Sequence, residues 1–275
     1  MKLTLLGTGC PSVDHKRYGP SNLVSTKTTK ILVDCGSGIT QRLNELKVSS
    51  ADIDALLFTH LHSDHAVDLY QLIISSWHSY RIKPWKIYGP KGTKKFVKKI
   101  MDAWSDERKL RISYESRVSA KAFDIQVTEF KSIGNIKIKD LNIKYFEVDH
   151  KPVKFAYGFC FNNKNKKLTI SGDTRPCENL MKYAQRSDLL LHEVFIEGEI
   201  LQINKMRTKK TLHNVQSYHT TSSQVGKVAF IARAKKLVLT HFVPTRFNKS
   251  NLKKVVKKDF GKDPIIGEDL MIIKV

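Results

Sequence analysis

Six consecutive residues, His60-Leu61-His62-Ser63-Asp64-His65, set three imidazoles and one carboxylate side by side. Imidazole nitrogen and carboxylate oxygen are the donors that borderline divalent cations such as zinc prefer. In a loop leaving a strand, His60 and His62 can converge on one ion while Asp64 and His65 reach a second. A solvated polar loop is the plain alternative, but so dense a pattern arises by chance in roughly one such chain per thousand. A two-ion site needs more donors than one loop holds. His150 after YFEVD, Asp173 after LTISG and His241 after LVLT each follow an apolar run. Singly, each would be an ordinary capping or surface residue; with the loop they make a set.

The elements that must position these donors are short strands and amphipathic helices. Val, Ile, Leu and Thr crowd Lys2–Leu6, Lys30–Asp34, Ala55–Thr59, Lys86–Tyr88, Asp188–His192 and Lys236–Thr240, which predicts strands. Between them, Asp124–Phe130, Leu141–Val148, Ala156–Phe161 and Lys167–Ser171 predict a strand-rich middle, with NNKNKK (162–167) as a polar hairpin turn. Helical spacing of apolar residues marks Ile39–Leu46, Ala66–Trp77, Thr93–Trp104, Leu180–Arg186, Thr221–Ala234 and Asn251–Phe260. Strands precede helices in each half, so the class is α/β or α+β, with sheet stacked on sheet and helices outside. Asp34, His60, Asp173, His192 and His241 are then expected at C-terminal strand ends, where a fixed backbone presents side chains to a free loop.

Composition narrows the setting. The 275 residues are 41% hydrophobic and 9% aromatic, enough for a full core and too much for a disordered chain. Lys+Arg is 48 against Asp+Glu 26, a formal charge of +22 that points to polyanionic partners: RNA, DNA, phosphate esters or anionic head groups. A merely lysine-rich surface is the alternative. No run of 18 apolar residues is present, and the N-terminus reads as a first strand, so neither a membrane span nor a signal peptide is expected. Cys10, Cys35, Cys160 and Cys177 form no C-x-x-C pair, which disfavours a disulfide framework or zinc–thiolate site and fits a reducing cytoplasm.

HLHSDH, LVDCG (32–36), VDH (148–150), SGDT (171–174) and LTHF (239–242) resemble, in order, the five motifs of the metallo-β-lactamase fold. The opening TLLGTGCPSVDHKRYGPSNLV, GPKGT (89–93) and SGDTRP (171–176) look like the branch of tRNase Z (ELAC-type zinc phosphodiesterases) and its arylsulfatase-like relatives. The resemblance runs over essentially the whole chain. It implies one domain, 1–275, folded as a four-layer αββα sandwich. It implies one zinc on His60, His62 and His150, a second on Asp64, His65 and His241, and Asp173 bridging them; manganese or iron would suit the same donors. Asp34 would orient a ligand imidazole through its free N–H. The ions would lower the pKa of a shared water, whose hydroxide attacks phosphorus in line, with Asp64 accepting its proton. His219, in YHTTS, resembles the family's His-Ser-Thr donor motif. Glu193, in LLHEVF, resembles its His-Glu-Ala-Thr motif and would hold His219 oriented. A homodimer is the family's common state.

The substrate stays open between an RNA 3′ end or smaller nucleotide diester and a small sulfate or phosphate ester. Only 22 residues part His150 from Asp173, too few for the long arm with which tRNase Z grips tRNA, and HEVF and HTT look closer to the arylsulfatase-like subgroup. Basic clusters at 91–99, 205–210 and 249–258 argue for RNA if two share a face. Segment 205–217 lies between Glu193 and His219, which makes Lys205, Arg207, Lys209 and Lys210 the candidates for substrate phosphates. Trp77, Tyr80 and Trp85 could stack a base, with core packing as the alternative. A third reading, an RNA-binding protein with a structural metal, predicts tight binding without hydrolysis.

Overall fold

The computed structural model describes residues 1–199 and 208–275. Its strands gather into two seven-stranded sheets. The first holds β1 (Lys2–Gly7), β2 (Ser21–Ser25), β3 (Lys30–Val33), β4 (Ala55–Leu57), β5 (Trp85–Gly89), β6 (Ile125–Glu129) and β14 (Ile272–Lys274), in the order β14-β1-β2-β3-β4-β5-β6. The second holds β7 (Ile133–Ile138), β8 (Leu141–Glu147), β9 (Tyr157–Asn163), β10 (Lys166–Ile170), β11 (Leu189–Phe195), β12 (Leu237–Val243) and β13 (Ile265–Ile266), ordered from β13 to β7 in descending number.

Alternation along each strand sorts side chains into three apolar layers. Ile31, Val33 and Leu57 meet Phe159, Leu168, Leu189 and Leu191 between the sheets. Leu32 and Leu56 turn outward onto helices that contribute Ile39, Leu72, Ile73 and Val97. Leu190 and Leu239 turn outward onto Val225, Ala229, Leu252 and Val256. The result is helix, sheet, sheet, helix. Strands buried on both faces read as continuous apolar runs, which is why DLLLH and LVLT stand out in the sequence.

Strand direction places the site. β3 and β4 run parallel, as do β10, β11 and β12. β9 is antiparallel to both β8 and β10, so β8 points the same way as β10. The segments that follow β3, β4, β8 and β10 therefore leave through shared edges, carrying Asp34, His60–His65, His150 and Asp173.

Several expectations need correction. The helix expected over Ala66–Trp77 is two, Ser63–Ala66 and Leu69–His78, so Asp64 and His65 are helical rather than in a loop. Thr93–Ala103 is followed by a second helix, Ser105–Glu115, that buries no residue and so shows no apolar stripe. The edge strand β7 carries Gly134 and Asn135, poor strand formers, and was not expected. His192 and His241 are internal to β11 and β12, which continue to Phe195 and Val243. Among the described residues, no helix is long and apolar enough to cross a membrane.

Candidate metal centre and active site

Each donor is aimed by a neighbour that occupies its other polar atom. Asp34 follows β3 directly with φ 61°, a left-handed conformation that turns its side chain toward the end of β4. Its carboxylate accepts from Thr59 N (2.7 Å) and Thr59 Oγ1 (2.8 Å), and lies 2.9 Å from His65 Nδ1. With Nδ1–H donating to Asp34, His65 turns Nε2 and its lone pair to the centre. His150 Nδ1 stands 2.8 Å from the Tyr218 carbonyl, and His60 Nδ1 3.0 Å from Thr59 Oγ1, with the same consequence. Gly36 lets the chain after β3 touch the Asp64 helix: a Cβ there would lie 2.5 Å from the Asp64 carbonyl oxygen. His241 arrives by a bulge. Thr240 pairs with Glu193 and Phe242 with Val194, leaving His241 unpaired at φ 46°. A bulge of this kind re-aims one side chain, here into the centre.

The donor atoms converge. Asp173 Oδ2 lies 3.2 Å from His241 Nε2, 3.4 Å from His65 Nε2, 3.9 Å from His60 Nε2 and 4.0 Å from His150 Nε2. Asp64 Oδ2 lies 3.3 Å from His241 Nε2 and 3.6 Å from His65 Nε2. One donor group comprises His60, His62, His150 and Asp173, and another Asp64, His65 and His241, each with atoms mutually within 4.8 Å. The Nε2 atoms of His60, His65 and His150 are buried and have no hydrogen-bond partner. An orphaned buried polar atom costs about 1–3 kcal/mol, so three of them within two adjoining donor groups fit metal ions rather than a core. Burial and the neighbouring imidazoles hold His60 well below its ordinary pKa, and burial lowers His62 and His150, which keeps their lone pairs free. Burial would raise Asp173, but His241, His65 and His60 outweigh it and hold the carboxyl well below the usual range. The donor set, imidazole nitrogen and carboxylate oxygen, suits a divalent transition metal.

Beside this centre stands a second pair. Glu193 is buried in β11, where Oε1 accepts from Thr220 N (2.9 Å) and Thr174 N (3.2 Å). His219 Nδ1 lies 3.1 Å from the same oxygen, close enough to pair as charges though off the line of a hydrogen bond. Burial opposes the imidazolium, but the charges of Glu193 and Asp173 win and raise the His219 pKa. His219 stacks on His241 at 5.7 Å between centroids. Asp64, Asp173, His219 and His241 line one cavity of about 310 Å³, with Cys10 on its wall. Burial pushes the Cys10 thiol up to about 11, so it contributes no thiolate near neutrality.

Every expected metal donor thus comes together, with His219, Glu193 and Asp34 around it. The expected phosphate contacts do not. Lys205 and Arg207 lie outside the described residues; Lys209 and Lys210 are exposed at the start of helix Lys209–Gln216 and do not line the cavity, which that helix reaches through Val215. Helices Thr93–Ala103 and Lys249–Phe260, bearing two basic clusters, pack on opposite outer layers rather than one face. Trp77 and Trp85 are core residues, and only Tyr80 of that trio is exposed. Sequence reasoning missed Thr59, which holds Asp34 and touches His60, and the Tyr218 carbonyl. Thr59 adjoins the histidine motif and was findable; a backbone carbonyl leaves no sequence signal.

Comparison with known proteins gives the family and the fold. A family model described as Anti-Pycsar protein Apyc1 matches residues 1–204. Ribonuclease Z of Mycobacterium bovis is 33% identical over 247 residues, covering 89% of this chain and 86% of the relative. Ribonuclease Z of Mycolicibacterium gilvum is 33% identical over 281 residues, covering 100% and 96%. Among solved structures, the metallo-β-lactamase fold protein YhfI of Bacillus subtilis superposes with a TM-score of 0.78 at 19% identity, covering 99% of this chain and 98% of that one. The short form of human tRNase Z gives 0.74 at 23% identity, covering 100% and 99%. The chain belongs to the family that holds ribonuclease Z and the anti-Pycsar protein Apyc1, and is a metal-dependent hydrolase of ester bonds on the metallo-β-lactamase fold.

Proposed function

We propose that the chain hydrolyses a phosphodiester, in an RNA 3′ end or a smaller nucleotide diester, with two zinc ions. The observation that carries the two-ion reading is the position of Asp173 Oδ2 within about 4 Å of four Nε2 atoms drawn from both donor groups. His60, His62 and His150 would hold one ion; Asp64, His65 and His241 the other; Asp173 both. When bound, divalent ions supply Lewis acidity, which lowers the pKa of a water and neutralises charge developing at phosphorus. Asp64, at the cavity wall, takes the proton of the attacking water. Glu193 keeps His219 charged, and His219 gives its proton to the leaving oxygen. Asp34 keeps the His65 lone pair on the centre.

We further propose that residues 1–275 act as one domain without a tRNA-gripping arm, since the β9–β10 hairpin fills the stretch from His150 to Asp173. We propose a homodimer: helix Ser105–Glu115 buries nothing and exposes Leu110 and Tyr114. Four free cysteines, three of them buried, suit a reducing, cytoplasmic setting. The names of the curated relatives favour phosphodiesters over the arylsulfatase-like reading.

The test compares bis(p-nitrophenyl) phosphate, p-nitrophenyl sulfate and a 3′-extended tRNA, with metal content measured on the same preparation. The proposal expects about two metals per chain and turnover of diesters. Turnover of the sulfate alone would reverse the substrate assignment, and tight RNA binding without hydrolysis would restore the structural-metal reading.

A further inference from the structure

A second cavity, of about 580 Å³, opens beside the catalytic one and shares Cys10, Pro11, Ser12, Ser63 and Asp64 with it. It leads away from His219, which does not line it. Its volume lies within the range of small-molecule sites. Two valines that line it are left in water: Val13 is 97% exposed and Val67 is 61% exposed. Gln41 and Ser37, both exposed, add polar groups to the lining.

The loop that carries Val13 is anchored, not slack. Gly9 N donates to Tyr18 O (2.8 Å), Tyr18 N to Asp269 Oδ2 (2.8 Å) and Gly19 N to Ser37 O (3.2 Å). Asp14, next to Val13, accepts from Arg246 Nε at 2.9 Å. The ordering cost of presenting Val13 to solvent is therefore met by the fold before anything binds, as a preorganised site requires. Val67 sits in the break between helices Ser63–Ala66 and Leu69–His78, three residues from Asp64.

The cavity is unsuited to a phosphate. Among the described residues, Arg17 is the one lysine or arginine that lines it, and its guanidinium is committed. Arg17 Nη1 donates to Thr8 Oγ1 (2.6 Å) and Gly267 O (2.9 Å), and the group lies 4.3 Å over the Phe242 ring. Apolar walls with an amide and a hydroxyl at hand match a flat, weakly polar group instead.

We infer that this cavity is a nucleoside subsite, in which Val13 and Val67 pack against the base of the nucleoside retained on phosphorus and Gln41 reads its edge. The inference rests on the phosphodiester reading above. The nucleoside is the retained one because the cavity adjoins Asp64, whereas the leaving oxygen must face His219.

The experiment compares thymidine 5′-(p-nitrophenyl phosphate) with methyl p-nitrophenyl phosphate, which share a leaving group and differ in the retained substituent. Wild-type enzyme should prefer the thymidine ester through a lower KM. Val13→Ser and Val67→Ser should each cut the ratio of kcat/KM between the two esters by about tenfold, the scale of losing apolar contact in a pocket. Both side chains are largely in solvent, so folding is little affected, and circular dichroism melts check this. Phe230→Ser, exposed and outside the cavity, should leave the ratio as in wild type. A ratio unchanged in both valine variants, or no preference in wild type, overturns the subsite alone. Failure of wild type to cleave either ester overturns the phosphodiester reading and the subsite with it.

Discussion

Asp34→Asn tests the centre through a residue that touches no substrate. The side chain is 5% exposed and its three hydrogen-bond neighbours are fixed: Thr59 N, Thr59 Oγ1 and His65 Nδ1. Asparagine has the same shape but offers one acceptor oxygen and one donor NH2. The backbone N–H of Thr59 cannot adapt, so the oxygen stays with it and the NH2 faces His65. Two donors then oppose each other across 2.9 Å unless His65 moves its proton to Nε2, the atom 3.4 Å from Asp173 and 3.6 Å from Asp64. Either outcome spoils one metal donor without removing it. Loss of such an orienting partner costs about 10–100-fold in metal affinity, or roughly 1.4–2.7 kcal/mol. Zinc affinity measured by competition with a chromophoric chelator reads this directly, and excess zinc should restore part of the activity on bis(p-nitrophenyl) phosphate. Wild-type zinc affinity in the Asn variant would falsify the claim that Asp34 sets the His65 tautomer.

Other residues give sharper or broader effects. Asp173→Ala leaves four Nε2 atoms without their shared carboxylate; kcat/KM for the diester should fall by about a thousandfold or more, the scale of the several kcal/mol of charge stabilisation a bound ion supplies, and metal analysis should show a stoichiometry below wild type. His219→Ala should slow phenyl esters by about a hundredfold or more while p-nitrophenyl esters lose far less, because a good leaving group needs no proton; a leaving-group series with equal losses would remove His219 as donor. Asp140 accepts from the hydroxyls of Thr29, Thr28 and Thr26, Thr29 foremost, which lowers its pKa from 3.8 to about 2. A depressed carboxyl contributes stability above its unfolded pKa and loses it as pH falls through the folded one. Asp140→Asn should therefore lower Tm at neutral pH and converge with wild type between about pH 4 and pH 2. The residue is exposed, so screening keeps the difference to about 1 kcal/mol or less.

The candidate donors were legible because three imidazoles in six residues are rare, and because His150, Asp173 and His241 stand in strand-end contexts, with the run before His241 belonging to a strand buried along its whole length. What failed to show has physical reasons. Helix Ser105–Glu115 fully buries no residue, so it leaves no periodic stripe. The bulge at His241 depends on a register shift against β11, a relation between two distant segments that neither encodes alone. Two basic clusters on one face would have argued for RNA, and Val97 and Val256 seat these two helices on opposite outer layers. Charge was countable from the sequence, but its placement follows from topology. Asp34 and Glu193 drew their roles from family resemblance, and the distances to His65 and His219 now give each a physical basis.

The centre also bears on how the layers are held. The apolar contact between the sheets, Ile31 and Leu57 against Phe159 and Leu189, is non-directional and tolerates sliding. The donors do not. His60, His62, Asp64 and His65 leave the first sheet, while His150, Asp173 and His241 belong to the second, and Asp173 Oδ2 faces histidines of both. At another rim the Thr26–Thr29 turn of the first sheet is tied to Asp140, in the β7–β8 turn of the second. These directional ties, with the backbone bonds from Tyr157 N to Thr59 O and from Phe242 N to Thr8 O, fix one register of sheet on sheet. A scaffold that brings these candidate donors from both layers to one centre would gain catalytic geometry and layer specificity from the same side chains.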